Sequence, residues 1–361
     1  MIAEKQCLKD LAIVLPSLDP DKKFTAVVEG LLTSGFEHIV IVDDGSSAGN
    51  KTFFEAAAAH EQCHVLTHPV NRGKGAALKT AFHYVLENLP AVKGVITIDG
   101  DGQHLLPDII ACGEKMLALG DKVILGCRDF NQPGVPPRSV AGNKTTSRLF
   151  RLCYGIKLSD TQTGLRAIPR QYLERFCGIE GERFEYETNM LLQMKRMGID
   201  FAEQPIETVY DPEDYGSHYN AVKDSWRIFK VMFKFLVSSL GSLLVDMGLF
   251  YLVMRFFASR LGPYAELVAT AVARACSSFF NFNANNKVVF NNEGSYRRAL
   301  LRYYCLCIPQ MLVSAGLVTL INHLLGNTAP FIATLIKMVV DTVLFFVSYT
   351  IQREWVFAAK K

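Results

Sequence analysis

Residues 95–104, VITIDGDGQH, run from a β-branched apolar stretch into two aspartates one residue apart. Like charges that close repel, and a turn needs one Asp, so Asp99 and Asp101 read as a pair waiting for a cation. Two hard carboxylates suit Mg2+ or Mn2+, which keep few protein ligands and complete their shell from a diphosphate. On this reading Asp101 ligates the metal directly and Gln103 helps complete the shell. Asp99 holds the metal through water or contacts a ribose. Other phosphate and metal motifs are absent. PSLDPDKKF follows the first apolar run where a dinucleotide fold needs GxGxxG, and NRGKGAAL (71–78) does not satisfy GxxxxGK[ST]. A calcium loop starting at Asp99 needs Gly at 104 and Glu at 110, where His104 and Ile110 stand. Nine cysteines without a CxxC pair indicate neither zinc nor a disulfide framework and fit reduced cytosolic thiols. His60, His64, His68 and His83 show no metal spacing and read as surface or strand-end residues.

The elements that must position these carboxylates alternate. LAIVLPSL (11–18), HIVIVDDGSS (38–47), CHVLTHP (63–69), GVITIDGDG (94–102) and KVILGCRDF (122–130) read as strands. Helical stretches run to about Ser34, over 50–60, over 71–88 and from Pro107. The alternation predicts an α/β fold, a Rossmann-like, mostly parallel sheet with helices on both faces. Such sheets bind ligands beyond the carboxyl ends of their strands, where Asp43, Asp44, Asp99 and Asp101 fall.

At 361 residues the chain calls for two domains, and its charge is uneven. Charged residues crowd the first 230 positions. The net charge of +3, with no basic block, gives no support to a nucleic-acid partner. Four apolar runs follow, at about 235–257, 263–283, 301–323 and 329–351, each long enough to cross a hydrocarbon core of about 30 Å. Lys223, Arg227, Lys230 and Lys234, then Lys287, Arg297, Arg298 and Arg302, then Arg353, Lys360 and Lys361 flank one side of these runs. Arg255 and Arg260 flank the other. The bias places both termini and the middle loop in the cytoplasm, and MIAEKQCLKD is too polar for a signal peptide. NFNANNKVVF (281–290) and SYTIQREWVF (348–357) mark a helix-pair repeat of about 67 residues, whose even span count makes the copies parallel. Asp246, Arg274, Lys337 and Asp341 fall inside the spans, with Arg274 and Asp341 at equivalent repeat positions. They read as structural pairs that hold the bundle or a homo-oligomer together, ahead of a polar path for a headgroup. Residues 216–234 mix Lys, Arg, Trp and Phe as an interfacial helix does. The expected domains are 1–215, this helix, and 235–361.

LPSLDP, VDDGSS, NRGKGAAL, DGDGQH and DTQTGLRA occur in that order, followed by FLVSSLGSLLVDMGLF and NFNANNKVVF. Together they resemble a family 2 glycosyltransferase of GT-A fold, of the polyprenyl-phosphate sugar synthase type, joined to a GtrA-like four-helix membrane domain. The resemblance implies a nucleotide-diphosphate sugar donor (GDP-mannose or a UDP-hexose) and a polyprenyl phosphate acceptor. It also implies a divalent cation and a product for cell-envelope glycan or glycoprotein assembly in a bacterial or archaeal membrane. By position, Pro16 and Asp44 would line the base pocket, and Gly73 and Lys74 would border the nucleotide. Asp99, Asp101 and Gln103 would form the metal and diphosphate site. Arg128, Arg138, Ser217 and His218 would meet the acceptor phosphate, and Thr163, Gly164 and Arg166 would border sugar and acceptor. Asp101, Arg128 and Arg166 form the implied catalytic set. Two positions depart from the pattern: His218 stands for a usual Lys, and Asp19 lies near a usual Asn-Glu.

A phosphate monoester with a second pKa of about 6 is largely dianionic at neutral pH and needs no general base. The site needs cations, and Lys74, Arg128, Arg138, Arg166 and His218 are the candidates. Direct attack at the anomeric carbon predicts inversion, with Glu185 and Glu187 placed for the sugar hydroxyls. QMKRM (193–197) lacks the Trp of the processive QxxRW motif, so one sugar per reaction is expected. The rival hypothesis is a lipid-linked sugar flippase whose front half only senses nucleotide sugars. An intact DGDGQH favours the enzyme.

Overall fold

The computed structural model describes residues 8–132, 135–207, 221–292, 294–326 and 330–357. The chain forms two compact units, Met1–Arg151 with Ile156–Asp224, and Leu152–Gly155 with Ser225–Lys361.

The first unit is built on seven strands: β1 (Leu11–Ser17), β2 (His38–Asp43), β3 (Cys63–Thr67), β4 (Gly94–Thr97), β5 (Val123–Arg128), β6 (Arg166–Pro169) and β7 (Phe201–Ile206). Their order in the sheet is β3-β2-β1-β4-β6-β5-β7. All neighbours are parallel except β6, which runs antiparallel to both β4 and β5. β6 and β7 escape the sequence pattern for plain reasons. RAIP is four residues long, and FAEQPI carries Glu and Gln through its centre. The helices are α1 (Lys22–Ser34), α2 (Lys51–Ala58), α3 (Lys74–Asn88), α4 (Leu106–Leu119), α5 (Pro137–Leu149), α6 (Arg170–Cys177) and α7 (Glu185–Met197).

β1 and β2 are apolar without alternation because both faces are covered, as expected of parallel strands. Leu11, Ile13 and Leu15 join one cluster with Phe24, Val28 and Leu31 of α1 and Ile109 and Met116 of α4. Ala12 and Val14 are fully buried too, and α3 packs against β1 and β2 with Ala77, Leu78, Ala81 and Phe82 inside. Asp21 caps α1 through the Lys23 amide at 2.8 Å, and Gly35 ends the helix in the left-handed conformation. The antiparallel β6 matters for the site: it lays residues 163–166 beside the end of β4.

The second unit comprises α8 (Ala221–Leu261), α9 (Ala265–Ala284), α10 (Tyr296–Leu324) and α11 (Pro330–Ile351). Among the described residues three segments are long and apolar enough to cross a membrane: Phe233–Phe257, Tyr296–Leu324 and Leu335–Val356. The second expected span, 263–283, forms α9 but is not among them. Its sequence AELVATAVARACSSFFNFNA carries Glu266, Arg274 and several Ser and Asn residues. The repeat is visible in the contacts. Asn285 donates to Gln352 Oε1 at 3.0 Å across a separation of 67 residues, and Phe290 stacks on Phe357 with centroids 5.0 Å apart. Residues that meet their own repeat equivalents lie on the pseudo-twofold axis. Both copies also end in a π-helical turn, Asn285–Val289 and Gln352–Val356. Ser238, Asn281 and Ser348 complete the buried hydrogen bonds around Asn285 and Gln352.

Candidate active site

The two aspartates leave β4 in unlike surroundings. Lys74, the first residue of α3, places its ammonium 2.6 Å from Asp99 Oδ1 and 3.1 Å from Glu187 Oε2 of α7. Burial raises the Asp99 carboxyl, but Lys74, with His104 and Arg128 nearby, outweighs it and holds the group below the usual carboxylate range. Burial lowers the Lys74 ammonium, but Asp99 and Glu187 outweigh it and push the group up, so it stays charged. Asp101 goes the other way: burial first, then the neighbouring Asp99 charge, raise its carboxyl. Its Oδ1 accepts from the Gln103 amide at 3.0 Å, and its second oxygen has no hydrogen-bond partner among the described residues. One carboxylate is already neutralised by a lysine, and the other retains capacity for a cation. Asp101, Gln103 and His104 also line a groove of about 380 Å³ between α1 and α4, with Lys23, Val27 and Leu106.

Asp99 is fixed from two more directions. Its amide donates to His104 Nδ1 at 3.2 Å, and burial keeps that imidazole below its ordinary pKa. Its carboxylate packs on Gly164, where any Cβ would collide with Oδ2. Gly164 is held in turn by its carbonyl, which accepts from Thr97 Oγ1 at 2.7 Å. The DTQTGLRA segment therefore builds the wall behind Asp99.

The glycine-rich start of α3 is occupied. Asp44, 4 % exposed, accepts from the Arg72 amide at 3.0 Å and the Gly73 amide at 2.7 Å, and from His68 Nδ1 at 2.7 Å. The Ala76 amide donates to Glu182 O at 2.8 Å. Gly73, expected to border a nucleotide, gives its amide to anchoring this loop. Asp44, expected in a base pocket, spends its carboxylate on the same job. Gly73 is required there: its φ is +103°, and Glu182 O lies 2.5 Å from where a Cβ would be. His68, expected as a surface or strand-end residue, does follow β3 but is buried, its Nε2 3.0 Å from Thr80 Oγ1. Pro16 is buried in β1 opposite Val42.

Two expected cations are committed as well. Arg128 makes a fork to Asp160, Nε to Oδ2 at 2.7 Å and Nη2 to Oδ1 at 3.2 Å, and lies over the Phe130 ring at 5.1 Å. Its side chain remains 24 % exposed, at the edge of the site. Arg166, expected as a catalytic cation, is 1 % exposed and donates to Thr163 O and to Glu187 O. Its guanidinium ties the 163–166 strand entry to α7. Glu185 and Glu187 open α7, and of the two it is Glu187 that reaches Lys74. The Arg138 side chain, Ser217 and His218 lie outside the described residues. Asp160, Glu187 and His68 carry weight that the sequence reading did not assign. For Asp160 the signal was its place at the head of DTQTGLRA, opposite GCRDF.

Known proteins place this site in a family. Residues 21–177 match the description Glycosyl transferase family 2, and residues 234–357 match GtrA/DPMS, transmembrane domain. The chain is a family 2 glycosyltransferase domain joined to a GtrA/DPMS transmembrane domain. It is 24 % identical over 253 residues to the UDP-N-acetylglucosamine–dolichyl-phosphate N-acetylglucosaminyltransferase of Methanococcus voltae, covering 65 % of this chain and 98 % of that one. It is 27 % identical over 179 residues to the polyprenol monophosphomannose synthase of Mycolicibacterium smegmatis, covering 47 % and 65 %. An uncharacterized protein of Methanocaldococcus jannaschii is 28 % identical over 235 residues, covering 64 % and 93 %. Among solved structures, mannosyl-3-phosphoglycerate synthase from Rubrobacter xylanophilus is similar with a TM-score of 0.49 at 16 % identity, covering 63 % of this chain and 75 % of that one. The mixed sheet, with its one reversed strand, carries the residues that match the glycosyltransferase family, β2 to β6 lying within 21–177.

Proposed function

We propose that the protein transfers one sugar from a nucleotide-diphosphate sugar to polyprenyl phosphate at the cytoplasmic face of the membrane, with inversion at the anomeric carbon. The observation that carries this reading is the unequal aspartate pair, one bound by Lys74 and one open, in a chain that also holds a transmembrane domain. Its relatives from Methanococcus and Mycolicibacterium are named for dolichyl-phosphate and polyprenol acceptors.

The donor set fits a divalent cation that arrives with its substrate. Among the described residues no three His, Cys, Asp or Glu side chains converge into a metal cage. Asp101 makes no ion pair among the described residues and keeps one carboxylate oxygen without a hydrogen-bond partner there, so the diphosphate must supply further ligands, as Mg2+ and Mn2+ sites on phosphates do. Asp101, with Gln103 beside it, would hold the ion, and the ion would neutralise the departing diphosphate. Lys74 keeps a fixed positive charge next to that position. Glu187 and Asp99 hold it there, and Arg166 holds the Glu187 backbone. A preset cation costs no reorganisation when leaving-group charge develops. Arg128, oriented by Asp160, is placed at the edge for the acceptor phosphate. The dianionic acceptor attacks without a base, so no general base is assigned.

The test is transfer of labelled sugar from a panel of nucleotide sugars to polyprenyl phosphate by the purified protein, with and without Mn2+. The expected result is metal-dependent lipid product from one donor, absent in D101A. No product from any donor, with nucleotide still bound, would sink the synthase reading in favour of a sensor-coupled flippase.

A further inference from the structure

Arg274 and Asp341 stand at equivalent positions of the two helix-pair repeats, the same 67-residue separation that joins Asn285 to Gln352. Each lies near the middle of its helix, α9 or α11. Each directly follows a residue buried in the bundle, Ala273 at 1 % exposure and Val340 at 7 %. The two charges thus leave their bundle on corresponding faces, and they are opposite in sign.

Neither is covered. The Arg274 side chain is 73 % exposed, and its Nε lies 3.7 Å from Asp246 Oδ1, the long end of an ion pair. Asp341 is 46 % exposed, with Lys337 at 2.7 Å and the Ser314 hydroxyl donating at 2.6 Å. Charges at this depth are costly against hydrocarbon and normally face a bundle interior or a partner. We infer that the partner is a second copy of this chain, with the α9 face of one against the α11 face of the next, so that Arg274 meets Asp341. Charge decides against an anionic headgroup as the occupant. Asp246 balances Arg274 and Lys337 balances Asp341, so neither cluster carries the net positive charge that would hold a phosphate. Opposite signs at equivalent positions let Arg274 of one face meet Asp341 of the other without like-charge repulsion between them. The inference rests on the membrane unit and holds whatever sugar the front half transfers.

Cys276 on α9 is exposed, and its repeat equivalent on α11, Val343, is 57 % exposed. The full-length V343C protein, in a C305S background and in membranes, should give a disulfide-linked dimer on mild oxidation, and adding C276S should abolish it. K337D/D341K keeps the pair within α11 but sets Lys against Arg274, so yield should fall about tenfold. Adding D246K/R274D inverts the α9 side too and should restore it. No dimer, a yield that K337D/D341K leaves unchanged, or a failure of the full inversion to restore it would each overturn the inference. The unsubstituted protein offers an independent check. Stepwise photobleaching at low density in vesicles should count two or more copies per spot, and single steps throughout would also overturn it.

Discussion

The front unit and the membrane unit both place charge where water is scarce, and they resolve it differently. In the front unit the charges are satisfied internally before any substrate arrives: Asp44 by loop amides and His68, Asp160 by Arg128, Arg166 by carbonyls, Lys74 by Asp99 and Glu187. Asp101 stands apart, with an oxygen left over. In the membrane unit the charges balance in pairs but lie on the outside. The first pattern is a preset site in which one carboxylate, Asp101, is left without an ion pair among the described residues. The second is a surface that needs covering. Both units use Asp, Arg and Lys, and exposure rather than composition separates the two patterns.

The comparison breaks most sharply at Asp101. D101A should reduce transfer about 10²–10³-fold, the range for removing a group that stabilises developing charge, and product formation should stop responding to Mn2+. Next in size is K74M. It strands Asp99 and Glu187 as two neighbouring carboxylates, a loss of about 3 kcal/mol at the low end for a broken buried pair, or about 6–12 °C in the front unit's melting midpoint. A double substitution to K74M/E187Q should recover part of that. G164A should cost about tenfold in rate by pushing Asp99 off its wall while leaving Mn2+ affinity near normal, because a small displacement at a preset site is felt in kcat first. The smallest effect is on pH. Since Asp101 must be deprotonated to bind metal and its carboxyl is raised, Mn2+ affinity should fall with decreasing pH, beginning above the usual carboxylate range. D99N removes one of the causes of that rise, so the midpoint should move to lower pH. An unchanged midpoint would mean the two groups do not feel each other.

Much of this was legible in the sequence. The strand that delivers DGDGQH, the alternation that makes the sheet, the split between the units and the helix-pair repeat all follow from local pattern. What local pattern does not carry is direction. Arg166 looks like a site cation in DTQTGLRA, yet its partners are carbonyls of its own loop and of α7, elements 21 residues apart at their contact. Asp44 and the NRG loop look like ligand contacts because acidic strand ends and glycine-rich helix starts are the usual ligand-binding elements. Only the fold shows them meeting each other. β6 could not be found from four residues, and without its reversal the Gly164 wall behind Asp99 could not be foreseen. α9 has the length of a span but carries Glu266, Arg274 and several Ser and Asn residues, so apolar composition marks it less clearly than the other three.

On the proposed reading Asp101 carries the metal and Asp99 holds the lysine. Mn2+ binding in the presence of nucleoside diphosphate, followed by the ion's paramagnetic resonance in wild type, D99N and D101N, tests it directly. The account predicts that D101N loses nucleotide-dependent Mn2+ binding while D99N keeps it and loses turnover. Retained binding in D101N, with loss in D99N, would contradict it.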